Sequence, residues 1–393
     1  MKKLPLLLLI FFLALPVKGQ RLVSVLSQKT IEASSQFDSL MAEFGAGFDA
    51  AKYQPLFKTA GALCRRVRFV SLEYKTQDPL GREVVASGLM AYPEKGSFKG
   101  MIEVSPICKE KHLCGTVRGF TVECLPSMMG YVILVPDTIG YGSTASEPVA
   151  LLMSENVAQV SADLRLAAQE YLLAQDKPRK LPRNPIIFGY SLGAAGALAT
   201  AMYYSEHPEL GVKPQTLYLA SGAYSPAVSV RSTLEAGESG YMVYPSIAVS
   251  LNHWLDLDLH NNLLFQGRVL TDMDRITCGK YNLTEMAQEY GQDIHTYLHP
   301  DFFSEGGNGD IKRLMTGLES LTVPSRPLTL PRGLKIYLRH SAEDTYVPVA
   351  CTDILYRQLK REGYYNITYY RDKTGNHYDE AAKSFFDLFV MIF

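Results

Sequence analysis

Residues 184–204 read Asn-Pro-Ile-Ile-Phe-Gly-Tyr-Ser-Leu-Gly-Ala-Ala-Gly-Ala-Leu-Ala-Thr-Ala-Met-Tyr-Tyr, and the order of residue types within them decides the fold. Pro185 to Phe188 is a short apolar run, the pattern of a strand buried on both faces. Ala194 to Tyr204 is rich in Ala, Leu and Met, which favour helix. Between them, Gly189-Tyr190-Ser191-Leu192-Gly193 must turn a strand directly into a helix. Such a turn brings backbones close, so residues without a Cβ are needed on either side of the serine. The serine itself is expected in a strained conformation, with its Oγ raised above the sheet edge at a helix N-terminus. Gly-x-Ser-x-Gly alone arises by chance in glycine-rich loops. Between an apolar strand and an Ala-rich helix it points to a nucleophile, provided a base and an acid accompany it.

Working outward, the same alternation recurs. Tyr131 to Val135 is a buried strand that ends in Pro136-Asp137 and the loop Gly140-Tyr141-Gly142-Ser143-Thr144. Leu151 to Ala174 follows as a long helix with apolar residues at Val157, Val160, Leu164, Ala168 and Leu172. Gln215 to Ala220 is the next buried strand. Further upstream, Cys64 to Thr76 and Glu83 to Tyr92 alternate polar and apolar residues around the turn Asp78-Pro79-Leu80-Gly81, an antiparallel hairpin, and Gly100 to Val104 is a third strand. Towards the C-terminus come strand Leu334 to Leu338, helix Val347 to Arg361, strand Ile367 to Tyr370 and helix Tyr378 to Ile392. Between these blocks the rhythm stops. Residues 224–330 hold Gly/Ser stretches, polar helical pieces and the sole tryptophan, Trp254, and read as an inserted helical cap. The expected organisation is a helical lead-in over 20–63, an α/β core over 64–223 and 331–393, and the cap over 224–330. The sheet should be mostly parallel, with the antiparallel hairpin at its start.

Composition bounds the setting. At 47% hydrophobic and 20% charged residues, a chain of 393 has ample material for a large core. Lys2 and Lys3 precede an apolar run from Leu4 to Leu15, and Val17-Lys18-Gly19 offers small residues for a signal peptidase. A signal peptide over residues 1–19 is therefore expected, leaving a secreted or periplasmic chain with no membrane span. The first 19 residues carry three Lys and no acid; without them the chain holds 36 Lys and Arg against 40 Asp and Glu. That balance gives no reason to expect nucleic acid as a partner. The oligomeric state is left open. Six cysteines (Cys64, Cys108, Cys114, Cys124, Cys278 and Cys351) permit disulfides in an exported chain, in any of fifteen pairings. Cys108, Cys114 and Cys124 lack the C-x₂-C spacing of a zinc site, so no metal is expected there.

A serine hydroxyl needs a base, and the base needs an orienting carboxylate. In a sheet of this kind they follow in the order serine, acid, histidine, each on the loop after a later strand. Asp344 stands after the strand ending at Leu338, with Val347-Pro348 opening the next helix. His377 stands in Gly375-Asn376-His377-Tyr378, after the strand ending at Tyr370.

With Gly189–Gly193, Asp344-x-x-Val347-Pro348 and the late Gly375-x-His377, the chain resembles the α/β-hydrolase superfamily, and more narrowly its secretory lipases and related bacterial carboxylesterases. The resemblance extends over residues 64–393, the cap unassigned. It implies cofactor-free hydrolysis of small-molecule carboxylic esters through an acyl-enzyme. Ser191 would attack, His377 would take and return the proton, and Asp344 would hold the imidazole. One oxyanion donor would be the backbone N–H of Leu192. The other should come from the loop after Gly100–Val104, where Ser105-Pro106-Ile107-Cys108 replaces the family's usual His-Gly. Pro106 has no N–H, so the donor is Ile107 or Cys108, with a Cys108 disulfide as one way to fix the loop.

Other readings of the same residues stay open at this point. Asp344 could serve only as a helix cap, Glu343 is an alternative acid, and His340 an alternative base that precedes the acid against the expected order. Asp137 is expected to tie down a turn. His295 and His299, four apart, would share a helix face, but no third metal ligand is in view. Tyr281, Tyr290 and Trp254 belong either to the cap's core or to an acyl pocket. Two other functions compete with ester hydrolysis: a serine peptidase of the same fold acting on short peptides, and a binding protein that kept the fold without catalysis.

Overall fold

The computed structural model describes residues 19–32, 66–107, 121–323 and 326–392. Nine strands form one sheet in the order β1-β2-β3-β5-β4-β6-β7-β8-β9. They are β1 (Leu22–Glu32), β2 (Arg66–Gln77), β3 (Glu83–Pro93), β4 (Gly100–Ser105), β5 (Tyr131–Pro136), β6 (Ile186–Tyr190), β7 (Thr216–Ala220), β8 (Lys335–Ser341) and β9 (Ile367–Asp372). From β5 through β9 every neighbouring pair is parallel, whereas β1, β2 and β3 pair antiparallel with one another and β3 with β5. Asp78 builds the β2–β3 turn by accepting from the N–H groups of Leu80 and Arg82.

The continuous apolar runs are explained by burial on both faces. Phe188 and Tyr218 pack on one side with the 3-10 helix Val122–Met129 and with Leu388 and Phe389. Ile187, Leu217, Leu219, Ile336 and Leu338 pack on the other. That second side is covered by α2 (Leu192–Glu206) and α7 (Ala350–Arg361), while α1 (Ser154–Leu173) covers β2 and β5. The C-terminal α8 (His377–Ile392) lies on the first side. Between β7 and β8 come α3 (Pro226–Ala236), α4 (Tyr244–Leu255), short helical turns over 261–277, α5 (Leu283–Tyr290) and α6 (Gly309–Ser320). Their apolar faces join the cluster under α1.

One expectation is corrected. Leu22–Glu32 is a strand, antiparallel to β2, and not part of a helical lead-in. As an edge strand it leaves most side chains in solvent, so it lacks the apolar alternation that announces β2 and β3. The remainder of the expected lead-in, 33–63, and residues 1–18 of the expected signal peptide lie outside the described residues. Among the described residues no helix is long and apolar enough to cross a membrane.

Candidate active site

Ser191 is the single residue between β6 and α2. Its backbone sits at φ 57°, ψ −128°, a region L-residues rarely adopt and which costs about 1–3 kcal/mol. The surroundings enforce it: Ser191 N donates to Ala220 O at 2.9 Å, and Ser191 O accepts from Ala194 N at 3.0 Å. The flanking glycines are dictated by contact. A Cβ on Gly189 would stand 2.3 Å from Gly193 O, and one on Gly193 only 2.5 Å from Ser105 O. The elbow therefore packs directly on the loop after β4.

That loop is itself anchored. Glu103 of β4 is buried, paired with Arg165 of α1 and accepting from the Tyr204 hydroxyl of α2 at 2.6 Å. Pro106 and Ile107 follow, and Ile107 reaches the cavity beside Ser191. Leu192, first residue of α2, has an N–H with no acceptor within its own helix. Cys108, Cys114 and Cys64 lie outside the described residues, as does any disulfide between them; Cys278 and Cys351 carry free thiols.

The structure brings Asp344 and His377 to the same edge. Asp344 lies just beyond β8 and His377 opens α8 just beyond β9. His377 Nδ1 donates to Asp344 Oδ2 at 2.6 Å, which leaves Nε2 to accept from the Ser191 hydroxyl at 2.9 Å. Asp344 is not a helix cap, because α7 starts at Ala350 with Val349 at its N-cap and no side-chain capping bond; its Oδ1 instead closes a turn of the loop, accepting from Tyr346 N at 3.0 Å and Val347 N at 2.9 Å. Burial pushes this carboxyl up, but hydrogen bonding with His340 and His377 outweighs it and holds Asp344 well below its ordinary 3.8. Asp344 is thus an anion, aimed at an imidazole. The Tyr190 hydroxyl donates to the His377 carbonyl at 2.6 Å, tying the start of α8 to the elbow.

Above Ser191 and His377 is a cavity of about 330 Å³ between core and cap. Leu151, Leu152, Val230, Ile247 and Ile276 supply much of its apolar wall. Among the described residues no Asp, Glu, Lys or Arg lines it. Tyr346 and Tyr378 stand by the imidazole, with ring centroids 5.5 and 6.4 Å away. The cap meets them there: Tyr241 stacks on Tyr346 at 5.7 Å, and the Tyr378 and Thr284 hydroxyls are 2.9 Å apart. Tyr190, Tyr346 and Tyr378 escaped the sequence reading, their only signal being adjacency to the elbow, acid and histidine.

The other candidates resolve individually. Glu343 is exposed and its Oε2 accepts from Gly375 N at 3.2 Å. His340 is buried with both ring nitrogens engaged, so it has no lone pair for Ser191. Asp137 accepts from the Ser87 hydroxyl at 2.8 Å beside the Gly140–Thr144 loop. His295 and His299 do not share a helix; each sits in a separate short turn against a neighbouring carboxylate, Asp293 or Asp301. Among the described residues no cluster of three metal-ligating side chains occurs. Tyr281 lines the cavity, Trp254 is buried in the cap, and Tyr290 packs beneath Arg268 and bonds Asp272.

No protein-family model matches the sequence, and comparison with curated proteins returns no match. Solved structures do match. The rice cell wall degrading esterase LipA of Xanthomonas oryzae superposes with a TM-score of 0.73 at 18% identity, over 96% of this chain and 97% of LipA. A Legionella pneumophila protein gives 0.71 at 17% identity over 95% and 97%. Candida antarctica lipase A gives 0.60 at 10% identity over 90% of this chain and 77% of the lipase.

Proposed function

We propose that this chain, which has the α/β-hydrolase fold, is an exported serine hydrolase that cleaves small carboxylic esters through an acyl-enzyme. The observation that carries the reading is the continuous hydrogen-bonded line from Asp344 through His377 to Ser191. Ser191 Oγ attacks the ester carbonyl carbon as its proton passes to His377 Nε2, and the buried Asp344 anion stabilises the imidazolium. The carbonyl electrons move onto oxygen, which the N–H of Leu192 and that of Ile107 or Cys108 receive. Collapse breaks the carbon–oxygen bond to the alcohol, which leaves with the proton from His377. Water then repeats the sequence on the acyl-Ser191 ester and releases the acid.

The wall chemistry supports an ester over a peptide. A short peptide presents a charged terminus, and no charged side chain among the described cavity residues answers it. Esterase and lipase are also the activities named for two of the solved structures of this fold. A mere binder would have no use for a strained serine held against an imidazole. Export rests on the N-terminal Lys-Lys and apolar run. Aryl esters of graded acyl length, assayed beside aminoacyl amides, test the reading: ester turnover that falls about 10⁴-fold in Ser191→Ala supports it. Amide turnover exceeding ester turnover would transfer the site to peptidase chemistry, and an unaffected rate in the alanine variant would remove the mechanism.

A further inference from the structure

Of the two histidines near Asp344, only His377 faces Ser191, yet the second is the more deeply placed. His340, the penultimate residue of β8, is 0% exposed. Its Nδ1 meets the Thr352 hydroxyl of α7 at 2.6 Å, and its Nε2 meets Val347 O at 2.8 Å. A carbonyl only accepts, so Nε2 carries a hydrogen. The same nitrogen lies 3.4 Å from Asp344 Oδ2, the oxygen that receives His377 Nδ1 at 2.6 Å. The loop between β8 and α7 thus has an imidazole inside it, touching strand, acid and helix together. A purely apolar side chain would fill that volume without making any of these bonds.

We infer that His340 is a positioning residue, whose buried imidazole pins the acid loop to α7 through Thr352 and fixes Asp344 Oδ2 where His377 needs it. This rests on the proposed roles of Ser191, Asp344 and His377. The backbone donors Tyr346 N and Val347 N hold only Oδ1, so apart from His377 itself it is His340 Nε2, 3.4 Å from Oδ2, that limits how the carboxylate turns about that edge. Val347, the second of these donors, is itself held by His340 through its carbonyl. A misplacement of about 1 Å in such a site costs on the order of 10²-fold in rate.

The experiment compares His340→Leu, His340→Gln and Thr352→Val with the parent and with Ser191→Ala, on one short-chain aryl ester. Leu fills the volume without a donor; Gln places an amide N–H where Nε2–H stood. Expected for His340→Leu is a fall in kcat of about 10- to 100-fold with KM changed less than about threefold. His340→Gln should recover kcat to within about threefold of the parent, and Thr352→Val should lower kcat by a smaller factor than Leu. If His340→Leu does not fold, the Gln and Thr352→Val variants still decide the matter. Parent-like kcat in Leu or in Thr352→Val, equal losses in Leu and Gln, or a loss carried by KM would each overturn the inference. An active Ser191→Ala enzyme would instead overturn the nucleophile on which it rests, so the two failures are told apart.

Discussion

Replacing Asp344 by Asn separates holding a loop from holding a proton. The amide oxygen can take the place of Oδ1 and keep the bonds from Tyr346 N and Val347 N at 3.0 and 2.9 Å. The NH₂ then stands where Oδ2 was, 2.6 Å from His377 Nδ1. Two donors cannot face each other at that distance, so the imidazole must move its hydrogen to Nε2. Nε2–H points at Ser191 Oγ, 2.9 Å away, and can no longer accept its proton. The same exchange in a Ser-His-Asp protease costs about 10⁴-fold in turnover, which at 1.36 kcal/mol per decade is about 5 kcal/mol of transition-state stabilisation. Steady-state hydrolysis of an aryl butyrate from about pH 6 to 9, with thermal unfolding followed from about pH 7 down to pH 3, reads both effects. A kcat within tenfold of the parent in folded Asp344→Asn protein would refute the reasoning. The unfolding arm has its own sign. In the native state Asp344 binds its proton less readily than its ordinary 3.8, so the folded chain carries fewer protons than the unfolded one in the acid range. Its contribution is complete above that ordinary value and is lost as pH falls towards the lower native one. Between about pH 5 and pH 3, Asp344→Asn should therefore lose less thermal stability than the parent.

Three further outcomes are expected. Gly193→Ala sets a Cβ 2.5 Å from Ser105 O, a backbone atom that cannot swing aside, and should destabilise by about 1–3 kcal/mol while displacing the Ile107 loop; a parent-like denaturation midpoint and kcat would contradict this. Tyr190→Phe leaves the His377 carbonyl without its 2.6 Å donor and should cost about 1–3 kcal/mol in urea unfolding, an unchanged midpoint being the contrary result. Val230→Trp fills part of the cavity and should depress hydrolysis of an octanoyl ester at least about tenfold more than that of an acetyl ester; equal effects on both would show that the acyl chain lies elsewhere.

The fold was legible where burial was two-sided. Tyr131–Val135 and Leu217–Ala220 carry unbroken apolar runs because both of their faces pack, and such runs survive in sequence without any knowledge of the tertiary neighbours. The edge strand Leu22–Glu32 carried no such signature, since its partner lies on one side only and solvent on the other. For the candidate site, the order Ser191, Asp344, His377 could be read because each follows a recognisable strand. What could not be read is everything set by contact across the chain: the Tyr190 hydroxyl on the His377 carbonyl, the Tyr378–Thr284 clasp between core and cap, and the buried ring of His340. A histidine's sequence position said that it was near the acid, but only burial and its two bonded nitrogens show that it is no base. The cap was the least legible part. Its short helices follow no strand–helix alternation, so the residues facing the cavity, such as Val230 and Ile276, are indistinguishable in sequence from those of its core.

The nucleophile is tested most directly by a fluorophosphonate, which bonds covalently only to an activated serine, followed by mass spectrometry of the intact and digested protein. The account predicts one adduct per chain, carried by the peptide containing Ser191, formed slowly in Asp344→Asn and absent in Ser191→Ala. An adduct on another residue, or undiminished labelling in the Ser191→Ala protein, would contradict it.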